Sequence, residues 1–454
     1  MHSKRAKHGL MTMIEKIKPC STLRGEIVPP GDKSISHRAA ILNSIAEGKA
    51  KLINFSTGGD CSSTLKCLRA LGVRIERVSV NPSAIEVYGV GRKGFLEAED
   101  VLDAGNSGTT MRLMTGLLAG QPFLSIIAGD SSLRSRPMGR LILPLRLMGA
   151  KIWGRGRDTL APLAIKGQEL HGITYSLPVA SAQIKSAILI AAIFATQGKA
   201  TIQEPSKSRD HTERLLQAMG LDMTVDDTFV TLSPPRSPPQ PLDVVVPGDV
   251  SSAAYWLVLG AIHPNARIKI KDTGVNPTRT GIIDVLSRMG ANLKLENQRH
   301  SGSEPVADIV VESSQLTGIT IEGELIPRLI DEILVLAVAA SVARGTTVIK
   351  DAAELRVKET DRIRLLAEEL SKLGAAIEEL PDGMVIEGGA RLCGARCSSH
   401  HDHRLAMSLG IAGSIAAGET LIEDAEVADI SYPGFWQHME MLKASWMHST
   451  DGGR

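Results

Sequence analysis

Charged side chains stand where several predicted helices begin in this chain of 454 residues. Lys33, Ser34 and Arg38 open the first such helix, and Arg404 opens the last. A helix N-terminus carries a partial positive charge and unpaired N–H groups, so it attracts anions and repels cations. Small polar residues there could simply cap the helix. Capping does not explain the cations, whereas an anionic ligand shared by several helix starts does.

Two further basic clusters support an anion site. Arg134 and Arg136 stand in a polar loop before a predicted helix. Lys358 and Arg362 are four residues apart and Glu359 is three before Arg362, so we expect them to share one helical face. Alone, that face would be read as solvated ion pairs. With the other clusters, it indicates recognition of phosphate and carboxylate groups, which planar arginine side chains bind through paired hydrogen bonds.

The helices that must position these residues belong to a repeated pattern. An apolar helix is followed by a strand, a polar loop, an amphipathic helix that ends at Leu-Gly or Met-Gly, and another strand. The glycine suits a left-handed helix stop, and the alternation indicates an α/β fold. The helix ends recur every 70 to 85 residues or so, and a sixth copy opens at His401 without a closing Leu-Gly. The five glycines are Gly72, Gly149, Gly220, Gly290 and Gly374.

Six copies in a chain of this length predict two domains of three copies each. Pro-Gly junctions at 28–31 and 246–248 each precede a new first helix. We therefore expect residues 1–30 and 246–454 to form domain I, and residues 31–245 to form domain II.

Composition excludes several classes of protein. The chain has 51 basic and 50 acidic residues and 3% aromatics, so neither a basic field nor stacking side chains favour nucleic acid. The five cysteines form no CxxC pair, which argues against a zinc site and suits a reducing cytoplasm. The basic start, 1–16, has no apolar segment typical of a signal peptide, and we expect an unstructured leader there. The apolar runs 187–195 and 333–343 are too short to span a membrane and predict buried helices.

Six segments, in this order, resemble motifs of the enolpyruvyl transferase family, in the branch that acts on 3-phosphoshikimate. They are PGDKSISHRA, GNSGTTMR, SRPMG, SAQIKSA, LRVKETDRI and DHRLAM, and they extend from Pro30 to Met407. Each motif alone is a weak signal, but six in order are specific.

The resemblance implies a two-domain inverse α/β barrel of six βαβαββ repeats that closes over its substrates in the cleft between the domains. It implies transfer of the enolpyruvyl group of phosphoenolpyruvate to 3-phosphoshikimate, with release of phosphate and with no metal or organic cofactor. We expect a cytoplasmic monomer whose partners are these two small molecules.

The resemblance also assigns residues. The 3-phosphoshikimate site would comprise Lys33, Ser34, Arg38, Ser181, Gln183, Arg209, Asp331 and Lys358. The phosphoenolpyruvate site would comprise Lys33, Gly108, Arg136, Gln183, Arg362 and Arg404. The 5-hydroxyl must lose a proton as it attacks, and we assign Asp331 as its base. The methylene carbon must gain a proton, for which Glu359 and Lys33 are both candidates.

Two departures from the family pattern indicate a divergent, class II-like subgroup. Many relatives have a lysine in a Lys-Thr-Phe-Pro stretch near the C-terminus, where this chain has 429–433, Asp-Ile-Ser-Tyr-Pro. Ala182 stands where many members have a second serine.

Three other functions are less consistent with the sequence. The sister transferase that acts on UDP-N-acetylglucosamine shares the fold, but it begins its first motif with Gly-Ala-Lys-Asn and usually has a loop cysteine. This chain has no cysteine between Cys67 and Cys393. A zinc hydrolase could use the histidines and the aspartate of 400–403, although adjacent residues at a helix start point in different directions. A nucleic-acid binder is disfavoured by the balanced charge.

Overall fold

The computed structural model describes residues 13–78 and 83–444, and one sheet pattern recurs six times within them. The first strand lies parallel to the second, and a third strand pairs with the second in antiparallel order. In five sheets, a fourth strand joins the third through a hairpin. This repetition confirms the predicted α/β fold with six βαβαββ units.

Three of the sheets lie in the middle of the chain. In spatial order they are β16 (Val244–Val245), β3 (Glu47–Ile53), β5 (Ile85–Val90), β4 (Arg74–Arg77); then β6 (Leu102–Asp103), β7 (Leu124–Ala128), β9 (Leu160–Lys166), β8 (Lys151–Gly154); and β11 (Thr174–Ser176), β13 (Ala200–Gln203), β15 (Phe229–Leu232), β14 (Met223–Asp226). A small parallel pair joins β10 (Leu170–His171) to β12 (Ala195–Gln197).

The other three sheets combine the two ends of the chain. They are β2 (Leu23–Ile27), β17 (Ala266–Gly274), β19 (Glu304–Glu312), β18 (Asn292–Ser301); then β20 (Thr320–Ile321), β21 (Thr346–Ile349), β23 (Gly383–Glu387), β22 (Ala376–Leu380); and β24 (Arg396–Ser398), β25 (Thr420–Glu423), β1 (Ile14–Ile17). The prediction of an unstructured leader is therefore wrong for Ile14–Ile17, which complete the sixth sheet by pairing with β25. Residues 1–12 of that leader lie outside the described residues.

Each unit contributes two helices, and the first of the two is the more deeply buried. The first helices are α1 (Lys33–Ile45), α3 (Gly108–Ala119), α6 (Ala182–Ala192), α8 (Val250–Ile262), α11 (Ile333–Val342) and α13 (His403–Gly413). The second helices are α2 (Gly59–Ala70), α4 (Gly139–Leu147), α7 (His211–Ala218), α9 (Gly281–Arg288), α12 (Arg362–Lys372) and α14 (Phe435–Ala444). Two short pieces complete the set, the left-handed turn α5 (Arg155–Asp158) and α10 (Leu325–Leu329).

The glycine stops occur where the sequence predicts them. The five glycines that follow the second helices have φ between 84° and 111°. This conformation suits a residue without a Cβ atom and turns the chain into the next strand. The two apolar runs also form buried helices, α6 and α11. Within the described ranges, the structure contains no helix both long and apolar enough to cross a membrane.

Two hydrophobic cores divide the chain. One contains residues from Ile17 to Ile27 and from Val250 to Leu442, and the other contains residues from Ala39 to Leu232. The chain passes between the cores twice, and the two crossing segments pair at Gly31 and Gly248. We propose on this basis that residues up to 30 and from 246 onward form domain I, and that 31–245 form domain II.

An aromatic cluster fixes the last helix to domain I. The Trp256 ring of α8 stacks on Phe435 with ring centroids 5.0 Å apart, and its Nε1 donates to Tyr432 Oη over 2.8 Å. The Tyr432 hydroxyl also bonds to His438 Nδ1 at 2.8 Å. With so few aromatic side chains in the sequence, this grouping concentrates the largest apolar surfaces behind α8, whose N-terminus reaches the cavity described below.

We expect Trp256→Ala to lower the free energy of unfolding by about 3–5 kcal/mol, because it empties a fully buried site. Urea denaturation measures the change. Trp153→Ala is the control, since that ring is 50% exposed and its loss should cost within about 0.5 kcal/mol. Equal losses in the two variants would contradict this account of the core.

Candidate active site

Eleven of the twelve repeat helices begin at one cavity of about 670 Å³ between the two cores. Each of these helices contributes a lining residue at its start or within three positions of it. The first helices contribute Lys33, Gly108, Ser181, Ser251, Asp331 and Arg404, and the second helices contribute Asp60, Arg140, Arg209, Arg279 and Glu359. The structure therefore brings the helix starts together, as the sequence predicted. More of the second helices take part than the sequence indicated.

Twelve of the thirteen predicted site residues line this cavity. They are Lys33, Ser34, Arg38, Gly108, Arg136, Ser181, Gln183, Arg209, Asp331, Lys358, Glu359 and Arg404. The thirteenth, Arg362, is buried behind the wall and contacts two of the lining carboxylates.

Short side chains cap most of the first helices. Asp32, Ser107, Ser181, Asp249 and Asp402 each accept a hydrogen bond from a backbone N–H in the first turn of a helix. Capping therefore accounts for these residues, as the simplest explanation requires. It leaves the cations of the same helix starts to be explained.

Lys33 is held by a carboxylate that the sequence analysis missed. Its Nζ lies 2.8 Å from Asp60 Oδ2, and both side chains are largely buried. Burial alone would lower the pKa of Lys33, but the Asp60 carboxylate outweighs it and the pKa is raised. Lys33 is thus a fixed positive charge in the cavity wall. Asp60 follows two glycines at the start of α2, and that position was the only sequence signal for it.

Arg38 is a buried cation whose contacts are all neutral. Its guanidinium donates to Thr212 Oγ1 at 2.7 Å, to Ser186 Oγ at 2.8 Å and to the Ser34 carbonyl at 2.9 Å. It is 2% exposed, and burial lowers its pKa to about 10. In the described part of the chain it makes no ion pair, so a ligand anion would supply the missing charge.

Asp331 is surrounded by cations from both domains. Its Oδ2 lies 2.6 Å from Arg209 Nη2, and its Oδ1 lies 3.6 Å from Lys358 Nζ. Arg362 and Arg404 approach it to 3.8 Å and 3.9 Å. Burial would raise the pKa of Asp331, but Lys358 and Arg404 outweigh it and hold the pKa well below its ordinary value. The carboxylate is therefore ionised.

Glu359 occupies a second group of cations. Arg362 Nη2 lies 2.6 Å from its Oε2, and Arg136 Nη1 lies 3.6 Å from its Oε1. Although burial opposes ionisation, Arg362 and Arg136 hold the pKa of Glu359 well below its ordinary value. The Glu359 carbonyl also accepts from Ser132 Oγ of domain II at 3.2 Å. Glu359 therefore touches both sides of the cleft.

The prediction that Lys358, Glu359 and Arg362 share one helical face is wrong. Helix α12 begins only at Arg362, because Asp361 accepts a hydrogen bond from the Arg364 N–H and caps the helix there. Lys358 and Glu359 lie in the segment before the cap. Arg362 still pairs directly with Glu359, and Lys358 and Arg362 both approach Asp331.

The run at 400–403 does not converge on a metal position. Asp402 binds the Arg362 guanidinium at 2.8 Å and caps α13. His400 Nε2 contacts Glu369 at 2.7 Å, whereas His401 is largely exposed. Among the described residues, the one group with ligand spacing is Glu368, Glu369 and His400, and Lys372 Nζ already lies 2.7 Å from Glu369. This geometry disfavours the zinc-hydrolase alternative.

Gln183 is oriented by Arg112, which was not among the predicted site residues. Arg112 Nη1 donates to Gln183 Oε1 at 2.6 Å, and Gln183 Nε2 donates to Thr109 Oγ1 at 2.9 Å. Burial and the nearby Arg136 lower the pKa of Arg112 to about 10. A methyl group at Gly108 would come within 2.7 Å of Arg112 Nη1, so glycine keeps this arginine in place.

Further lining residues were also absent from the predicted site. Arg140 pairs with Glu354 across the cleft at 2.9 Å, and Arg279 contacts Asp249 at 3.2 Å. Arg112 lies within the GNSGTTMR motif, and Asp249 directly follows the Pro-Gly junction at 246–248, but Arg140 and Arg279 carry no such signal. The unusual segment 429–433 begins within a 3₁₀ turn over Ala425–Ile430 and packs against Gly58 rather than lining the cavity.

Comparison with known proteins identifies the class. An EPSP synthase structure from Acinetobacter baumannii has a TM-score of 0.84 and 40% identity, covering 95% of this chain and 98% of that one. The enolpyruvyl transferase NikO from Streptomyces tendae has a TM-score of 0.77 at 17% identity, covering 95% and 97%, and so shares the fold. The fold is thus that of the enolpyruvyl transferases.

Sequence comparison identifies the family. The model of the EPSP synthase family (3-phosphoshikimate 1-carboxyvinyltransferase) matches residues 17–439. The chain is 52% identical to the 3-phosphoshikimate 1-carboxyvinyltransferase of Herpetosiphon aurantiacus and 54% identical to that of Desulforudis audaxviator. Each alignment covers 95% of this chain and all of the relative. The chain belongs to the EPSP synthase family, which confirms the resemblance inferred from the motifs.

Proposed function

We propose that this chain transfers the enolpyruvyl group of phosphoenolpyruvate to the 5-hydroxyl of 3-phosphoshikimate and releases phosphate, a step of chorismate and aromatic amino acid biosynthesis. The observation that carries the proposal is the charge of the cavity. Nine lysines and arginines and seven aspartates and glutamates line it, an excess of two positive charges. Both substrates carry a phosphate and a carboxylate, and charge-assisted hydrogen bonds to arginine suit both groups.

The 3-phosphoshikimate site would lie mainly on domain II. Arg38 offers a buried charge that has no ion-pair partner among the described residues, and Ser34, Ser181 and Gln183 add polar groups nearby. Arg209 would meet the phosphate. Lys33, Asp331 and Lys358 would face the shikimate ring from the other walls of the cavity.

The phosphoenolpyruvate site would use cations from both domains. Lys33, Arg136 and Gln183 come from domain II, and Gly108 leaves the space beside them open. Arg362 and Arg404 come from domain I. Since these groups meet only across the cleft, phosphoenolpyruvate would bind most tightly in the closed form.

The reaction has two stages, addition and then elimination, and protons are transferred in both. The 5-hydroxyl oxygen attacks C2 of phosphoenolpyruvate while Asp331 accepts its proton, and the C3 methylene gains a proton from Glu359 or Lys33. In the second stage C3 returns a proton to the group that donated it, the C2–O bond to phosphate breaks, the enol ether forms, and the departing phosphate takes the proton held by Asp331. The cations would stabilise both the tetrahedral intermediate and the departing phosphate.

Substrate binding would also let Glu359 hold a proton. In the ligand-free cavity Arg362 and Arg136 keep it ionised. A phosphate or carboxylate bound to the same two arginines cancels part of their field, so the pKa of Glu359 should rise. The same argument makes Asp331 a stronger base once substrate anions occupy Lys358 and Arg404.

The direct test is phosphate release from the purified protein. We expect release only when 3-phosphoshikimate and phosphoenolpyruvate are both present, because attack by the 5-hydroxyl precedes loss of phosphate. Release with UDP-N-acetylglucosamine in place of 3-phosphoshikimate would instead support the sister activity, which the Asp32-Lys33-Ser34 opening disfavours.

We expect Asp331→Asn to lower kcat by about 10²–10⁴-fold, the usual contribution of a general base. Dissociation constants for both substrates should change far less, since the surrounding cations remain. Steady-state kinetics and equilibrium binding measure the two effects. Asp284→Asn is the matched control, because Asp284 pairs with Arg328 outside the cavity and should leave kcat unchanged. Unimpaired turnover in Asp331→Asn would exclude Asp331 as the base.

We also propose that the enzyme acts as a monomer in the cytoplasm. All five cysteines are free thiols, which suits a reducing compartment. Eleven helix starts of a single chain line the cavity, so one copy could hold both substrates.

A further inference from the structure

The segment 208–214 uses all seven of its side chains as links, and these links go to both domains. Three of them stay within domain II, where Ser208 bonds to Glu204, Thr212 accepts from Arg38, and Glu213 contacts Lys185. Four of them reach domain I, where Arg209 meets Asp331, Asp210 accepts from Asn276, His211 contacts Glu304, and Arg214 donates to the Ser303 carbonyl.

A buried polar network forms the centre of this connection. His211 Nδ1 lies 2.7 Å from Glu304 Oε1, and Asn276 Nδ2 donates to Glu304 Oε2 at 3.0 Å. The same Asn276 nitrogen donates to Asp210 Oδ1 at 2.7 Å. All four residues are at most 9% exposed. Each Glu304 oxygen thus has its own donor, one from each domain.

Stability alone is a poor reason for such a network. Burying charged groups has a desolvation cost that their contacts only partly offset, and apolar residues of similar size would hold two surfaces together as well. A polar network does something that apolar contacts do not, because its directional bonds fix one relative position of the two surfaces.

The network also lies beside the two crossing segments. The backbone N–H of Val275 donates to the Pro305 carbonyl at 2.9 Å, next to Asn276 and Glu304. Strand β17, which ends at Gly274, bridges to Gly248 of the second crossing segment through Thr273. The network therefore holds α7 to domain I close to the covalent connections between the domains, one residue away from Arg209.

We infer that Asp210, His211, Asn276 and Glu304 are positioning residues that set Arg209 of domain II against Asp331 of domain I. The inference rests on the proposed function, in which Arg209 meets the phosphate of 3-phosphoshikimate and Asp331 its hydroxyl. None of the four residues lines the cavity, so they would not contact either substrate. They act through Arg209, whose Nη2 lies 2.6 Å from Asp331 Oδ2.

Glu304→Gln tests this inference with a small change of shape. Glutamine has one acceptor oxygen in place of two, so it cannot accept from His211 and Asn276 on separate oxygens. We expect the KM for 3-phosphoshikimate to rise about 10-fold, the scale of one lost charge-assisted hydrogen bond, with a smaller change in kcat. Glu369→Gln is the matched control, because Glu369 is also buried and also accepts from a histidine at 2.7 Å, but within domain I. The KM of Glu369→Gln for 3-phosphoshikimate should stay within about 2-fold of the value for the unmodified protein.

The decisive comparison repeats Glu304→Gln in an Arg209→Ala background. If the network acts through Arg209, the second change should raise the KM by less than about 2-fold there, because the group that it positions is gone. The same 10-fold rise in both backgrounds, or no rise in either, would overturn the inference. His211→Phe gives a second variant with the same expected pattern should Glu304→Gln fail to fold.

These outcomes are separable from the proposed function. Absence of phosphate release from the unmodified protein with both substrates would overturn the function, and the inference with it. Normal turnover in the unmodified protein with additive effects of Glu304→Gln and Arg209→Ala would overturn the inference alone.

Discussion

Positive charge buried where helices begin is the constraint on which the rest of this structure depends. Lys33 and Arg404 stand in first turns and Arg38 in a second turn, where the helix dipole and the loss of water both disfavour a cation. Carboxylates relieve part of this cost, as Asp60 does for Lys33. The remaining excess of charge is what prepares the cavity for substrates that carry phosphate and carboxylate groups, although the chain as a whole has a net charge of only +1.

The sixfold repeat brings these helix starts together at one place. In each unit an apolar first helix is buried beneath a four-stranded or three-stranded sheet, and its N-terminus faces the cleft. The chain crosses between the domains twice, at Gly31 and Gly248, so each domain has its own hydrophobic core. Eleven helix starts from the two domains still meet in one cavity. The last helix, α14, is the exception, and it serves the aromatic core around Trp256 instead.

Much of this arrangement could be predicted from the sequence because it depends on local rules. The helix stops at Gly72 and its four counterparts follow from backbone geometry, and the motifs at the helix starts follow from capping and charge. Features set by tertiary contacts could not be predicted. The sequence around Ile14–Ile17 does not indicate that this strand pairs with β25. The sequence around Asp60 does not indicate its ion pair with Lys33.

The error at Lys358 and Glu359 has a similar origin. A spacing of three and four residues describes one helical face only if the helix includes all of them, and the cap at Asp361 starts α12 after both. The interdomain network of His211, Asn276 and Glu304 was also beyond the sequence, since its members are far apart in the chain and each is unremarkable alone.

In the free protein the cavity cations hold Asp331 and Glu359 ionised. Bound substrate anions would then offset part of the same positive charge. The most direct test is a titration of the Glu359 carboxyl carbon by NMR, first in the free protein and then with 3-phosphoshikimate and phospholactate bound, a pair that cannot react. The account predicts a pKa below the ordinary 4.5 in the free protein and above it in the complex. A pKa that stays below 4.5 with both anions bound would contradict it.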